Sequence, residues 1–78
     1  MKKLRVTYHM IRPGETAESC ITLPVSDEAA REILSLKVDR YSFLHSENAS
    51  RVSVIIYDLA HLQGYEDYDI RTVEEVTP

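Results

Sequence analysis

Hydrophobic and polar positions alternate over residues 2–11. Leu4, Val6, Tyr8 and Met10 fall on one side, and Lys3, Arg5, Thr7 and His9 on the other. A period of two among β-formers predicts a half-buried strand. The stretch Arg-Pro-Gly-Glu at 12–15 predicts a turn, because Pro13 presets a negative φ and Gly14 supplies the positive φ of a type II turn. A second, shorter strand is expected over 18–23, with Ser19, Ile21 and Leu23 on one face and Glu18, Cys20 and Thr22 on the other. Pro24 has no ladder donor and is expected to end it.

The spacing then changes. Ser26 suits a helix N-cap, and Asp27 and Glu28 put negative charge in the first turn, where the helix dipole favours it. Ala30, Ile33, Leu34 and Lys37, flanked by Ala29 and Leu36, form one stripe able to face a sheet. Two endings fit. Val38, Tyr41 and His45 continue the spacing from Leu34, so the helix either runs on or restarts as a short turn near 41–44. Residues 45–50 read as a polar loop.

Residues 51–62, Arg-Val-Ser-Val-Ile-Ile-Tyr-Asp-Leu-Ala-His-Leu, predict a strand rich in β-branched residues. Val52, Val54 and Ile56 share one face; Ser53, Ile55, Tyr57 and Leu59 share the other. Both faces are partly apolar, which predicts a strand covered on both sides. Gln63 and Gly64 make a turn. A last strand is expected over 68–76, with Tyr68, Ile70 and Thr72 on one side and Asp67, Asp69, Arg71 and Val73 on the other.

These elements predict a single small α+β domain over 1–78. Its order is β-β-α-β-β: a four-stranded mainly antiparallel sheet with one helix packed on one face. Leu4, Val6, Tyr8, Ile21, Leu23, Val52, Val54, Ile56 and Ile70 are the expected core. One helix covers one face only. The other face would carry Arg5, Thr7, His9, Ile11, Cys20, Thr22, Ile55, Tyr57, Leu59 and Val73. That face is too apolar for plain solvated surface, and a contiguous exposed patch marks an interface. A homodimer is therefore expected through this sheet face or an edge strand, with Ile55, Tyr57, Leu59, His9, Thr22 and Val73 as its interface residues.

Length sharpens this picture. A 78-residue chain buries only about 60% of the surface its unfolded form exposes, so a second subunit is a natural source of cover. Cys20 is the single cysteine, so no intramolecular disulfide forms, and a lone thiol fits a reducing interior. The basic start at Lys2, Lys3 and Arg5 has no apolar run after it, and no stretch approaches a membrane-spanning length. A cytoplasmic protein is expected.

Charge is uneven. Residues 1–40 carry seven basic and six acidic residues, net +1; residues 41–78 carry two basic and seven acidic, net −5. An acidic second half disfavours nucleic acid or an anionic membrane as the direct partner and admits a basic protein.

Little in the chain points to catalysis. No catalytic, cofactor-binding or metal-ligating set is expected. Gly14 and Gly64 belong to turns rather than a phosphate-cradling loop. His9 and Cys20 share the open face and could form an activated thiolate. A nucleophile, however, needs a base, a cleft and an oxyanion site together, and an exposed strand His beside a small half-buried Cys is the more ordinary account. Asp58 is read as a wet strand-end carboxylate, near water or Arg12. In Tyr-Glu-Asp-Tyr-Asp-Ile-Arg at 65–71, the carboxylates are favoured as edge charge against aggregation. Glu66, Asp67, Asp69, Glu74 and Glu75 nevertheless make a candidate acidic partner surface.

The leading expectation is a non-catalytic adaptor or regulator that homodimerises and acts through protein contacts. One alternative is an acidic decoy for a basic, nucleic-acid-binding protein. Another is a small enzyme or ligand binder using His9, Cys20 and Tyr57.

Overall fold

Alternate residues along the middle of the first strand are buried as the alternation requires: Leu4, Val6, Tyr8 and Met10 are all 4% exposed or less. A computed structural model of the chain describes residues 1–77; Pro78, the last residue of the expected 1–78 domain, lies outside the described residues. The elements are β1 (Lys2–Arg12), β2 (Glu15–Val25), α1 (Asp27–Leu34), α2 (Arg40–Leu44), α3 (Glu47–Leu62) and β3 (Asp67–Glu75). The architecture is α+β, with an antiparallel three-stranded sheet in the order β2-β1-β3. The helices pack on one face of the sheet, around a core that joins Leu4, Val6, Tyr8 and Met10 to Ile33, Phe43, Val52, Ile56 and Ile70.

β1 and β2 form a long hairpin, paired from Lys2 with Val25 to Arg12 with Glu15. Pro13 and Gly14 turn it, with Gly14 at φ 75°. Pro24 does not end β2. It sits inside the strand opposite Lys3, and β2 is a sheet edge, where a residue without a ladder donor is tolerated.

α1 starts at the expected cap, where the Ser26 hydroxyl accepts the Ala29 N–H at 3.1 Å. It ends at Leu34 and the chain restarts as α2, the second of the two endings that the spacing allowed. Asp39 drives the restart: its carboxylate accepts the Ser42 N–H at 2.7 Å and the Ser42 hydroxyl at 3.0 Å. Phe43 anchors this short helix in the core.

The expected four strands and single helix are three strands and three helices. Residues 51–62, read as a strand, belong to α3, and the supposed loop at 45–50 supplies its cap and first turn. Ser46 accepts the Ala49 N–H at 3.3 Å. Ala49, Val52, Ser53, Ile56 and Ala60 are buried, at a spacing of three, four, seven and eleven residues from the first. That is one helical stripe. The β-branched residues disfavour a helix by only a few tenths of a kcal/mol each, whereas burying this stripe against the sheet returns more. Val54, placed in the core by strand parity, is consequently exposed on the outer side.

α3 stops at a Schellman motif. The Gly64 N–H donates to His61 O at 3.0 Å, and the Tyr65 N–H to Ala60 O at 3.0 Å. Gly64 has φ 85°, the left-handed conformation that this motif places after the helix. Gly64 thus closes a helix, not a strand.

β3 corrects a further expectation. Thr7 pairs with Thr72 but Tyr8 pairs with Ile70, so Arg71 is an extra residue in β3. A bulge inverts side-chain parity beyond it. Val73 therefore stands opposite Val6 and packs against the core, while Thr72 joins the open face.

Candidate interaction surface

The open side of the sheet is polar. His9 Nε2 lies 3.3 Å from Glu18 across the β1–β2 hairpin, and Arg5 Nη1 lies 3.4 Å from Glu74 across β1–β3. Thr22, Cys20 and Asp69 are exposed there. With Ile55, Tyr57 and Leu59 moved into α3 and Val73 turned inward, this face keeps little of the apolar content expected of it. The expected interface set is split: His9 and Thr22 lie on the open face, Val73 faces the core, and Ile55, Tyr57 and Leu59 lie on α3.

The same displacement dismantles the trio considered for chemistry. Tyr57 lies in the helical layer, on the opposite side of the sheet from His9 and Cys20, and packs edge-on to Tyr68 at 6.4 Å. His9 is engaged by Glu18. Among the described residues no three His, Cys, Asp or Glu side chains converge to hold a metal ion.

The candidate acidic surface is also divided. Asp67 Oδ1 binds Arg40 Nη1 at 2.7 Å, Glu74 binds Arg5, and Glu75 binds Lys2 at 3.3 Å. Glu66 and Asp69 are exposed. In the motif at 65–71 the aromatics face inward, with Tyr68 buried and Tyr65 half-buried. The Arg40 guanidinium lies 5.0 Å from the Tyr68 ring centroid, and its bond to Asp67 raises its already high pKa.

Of the nine large apolar residues exposed among the described residues, six lie instead on α2 and α3. Tyr41 is 71% exposed, Leu44 53%, Val54 57%, Ile55 40%, Tyr57 43% and Leu62 83%. Two of the aromatics pack against histidines one turn on: Tyr41 stacks on His45 with ring centroids 4.1 Å apart, and Tyr57 lies tilted against His61 at 4.2 Å. Between the helices is a shallow recess of about 170 Å³ lined by Arg40, Leu44, Ser53, Val54, Tyr57 and Tyr68. Ser53 is 1% exposed, and its hydroxyl has no hydrogen-bond partner among the described residues. Tyr41, Leu44 and Val54 were missed as surface residues because strand parity assigned Val54 to the core and no strand reading brings 41, 44 and 54 together. The signal available in the sequence was the Gly64 stop after His61, which marks a helix C-terminus.

This helical layer is joined to the rest by Glu32 of α1. Glu32 Oε2 accepts the Ser46 hydroxyl at 2.6 Å and the Asn48 N–H at 3.1 Å, at the N-terminus of α3. Those bonds, Ser46 first, hold the Glu32 carboxyl below the ordinary carboxylate range. No helix among the described residues is long and apolar enough to cross a membrane. Comparison with protein families, curated proteins and solved structures finds no match to this chain.

Proposed function

We propose that the protein is a non-catalytic, cytoplasmic adaptor or regulator that acts through protein contacts as a homodimer, and that the outer side of α2 and α3 is the surface it uses. The observation that carries this reading is the exposed apolar group of Leu44, Val54 and Tyr57, which line one recess between α2 and α3. Contiguous exposed apolar surface on a small domain marks an interaction site. Tyr41 and Tyr57 add to it, because aromatic side chains lose little entropy on docking and dominate contact energetics. The decoy reading has weaker support, since Asp67, Glu74 and Glu75 are each engaged with a cation of the same chain.

Sedimentation equilibrium at micromolar concentration tests the proposal. A dimer is expected, and Leu44→Ser with Val54→Ser shifts it to monomer without unfolding the chain. A wild-type chain that stays monomeric through the high micromolar range overturns the reading.

A further inference from the structure

We propose that the partner on this surface is a second copy of the chain, docked antiparallel along α3, with Arg51 of each copy facing Asp58 of the other. This inference rests on the reading of the α2–α3 layer as the contact surface.

At 100° per residue, Glu47, Arg51, Val54, Asp58 and His61 fall in one strip of α3. That strip is opposite the buried stripe of Ala49, Val52, Ile56 and Ala60. Along it the order is acid, base, apolar, acid, histidine. Arg51 and Asp58 are both exposed, and neither has an ion-pair partner among the described residues. They lie equally far from the point midway between Val54 and Ile55, about 5 Å to either side at 1.5 Å per residue.

A two-fold axis through that midpoint reverses the second helix. Arg51 then meets Asp58 of the partner subunit, Asp58 meets Arg51 of the partner subunit, and the two copies of Val54 meet beside the axis. The charge pair is thus made twice, once on either side of the two Val54 side chains. An interface that is its own complement is what a two-fold dimer demands. A parallel arrangement instead sets Arg51 on Arg51 of the partner subunit, and Asp58 on Asp58 of the partner subunit. The charges therefore select direction and register, while the apolar residues supply contact area. Tyr57 and His61 flank the seam on one side, and Ile55 and Leu62 on the other.

Charge reversal tests the register in the full chain. Arg51→Asp alone opposes carboxylate to carboxylate at both pairs, and Asp58→Arg alone opposes cation to cation. Each is expected to weaken the dimer about tenfold or more, because opposed like charges are strongly unfavourable at an interface. The combined Arg51→Asp, Asp58→Arg chain restores the pairs and brings the affinity back to within about threefold of wild type, the small residue left by non-additivity at neighbouring sites. Both positions are exposed, so circular dichroism of each variant is expected to match the parent.

Cross-linking supplies a second measurement that does not depend on affinity. In a Cys20→Ser background, Val54→Cys lies within one residue of the axis and forms a covalent dimer on mild oxidation. Glu47→Cys lies about 11 Å from the axis and does not. In a parallel pair both would cross-link. A dimer that is indifferent to the reversals, that is not rescued by the double exchange or that cross-links through Glu47→Cys overturns the antiparallel seam and leaves the contact-surface reading standing. A monomeric wild-type chain overturns both.

Discussion

The Glu32 carboxylate accepts the Ser46 hydroxyl at 2.6 Å, so one side chain of α1 caps the cap of α3. The same oxygen takes the Asn48 N–H, at a helix end whose dipole favours negative charge. Ser46 in turn accepts from Ala49. A chain of polar contacts therefore fixes where α3 begins and how α1 lies against it. Because the Glu32 pKa is lowered on folding, its ionised form stabilises the fold above the unfolded value near 4.5, and that contribution is lost as pH falls through the lower, folded value. Glu32→Gln is expected to lower stability at neutral pH and to flatten the acid side of the stability profile. Urea midpoints taken between about pH 7 and pH 3 check this; an unchanged acid limb in the variant removes Glu32 from the account. Ser46→Ala, which removes a cap, costs about 1 kcal/mol.

Gly64 holds a conformation that other residues reach only with strain, φ 85°. Gly64→Ala places a Cβ 3.5 Å from the Arg12 guanidinium, an ordinary contact, so the backbone decides the outcome. The expected loss is about 1 kcal/mol. A neutral result in chemical denaturation would show that α3 ends without the Schellman geometry.

Ser53 buries a hydroxyl with no partner among the described residues. Such a group loses its hydration with no bond in return. Ser53→Ala is therefore expected to leave stability unchanged or raise it by about 1 kcal/mol. A loss of comparable size, measured by thermal and urea unfolding, would mean that the hydroxyl is bonded in solution.

The bulge at Arg71 makes a paired prediction for β3. Val73 packs against the core and Thr72 is exposed. Val73→Asp is expected to cost about 2 kcal/mol, since it puts a charge against the apolar layer, whereas Thr72→Asp stays within about 0.5 kcal/mol. Unbulged parity predicts the reverse order, so the two urea curves decide between the registers.

Much of the fold was legible in the chain. The alternation of β1, the Pro13–Gly14 turn, the Ser26 cap and the inward Tyr68 and Ile70 all follow from short-range rules, and the structure agrees with each. The exposed apolar residues of α2 and α3 were not legible as a set, because their grouping depended on whether 51–62 was a strand or a helix. Ile55, Tyr57 and Leu59 form a strand face at a period of two. At a period of 3.6, Val54 turns outward instead and its neighbours become Leu44 and Tyr57. A run of Val, Ile and Tyr carries β preference, and nothing within it resolves the ambiguity.

The amino-acid sequence alone determined the hairpin and the first helix start. Those depend on neighbours a few positions apart and on glycine and proline geometry. Tertiary structure decided that 47–62 is a helix, that Val73 faces inward past the bulge, and that the uncovered apolar surface lies on the helices rather than beneath the sheet. Each of these turns on a buried stripe or strand register that only contact between distant segments can set. A gain spread over Ala49, Val52, Ile56 and Ala60 meeting the sheet outweighs the few tenths of a kcal/mol per residue by which local preference pointed the other way.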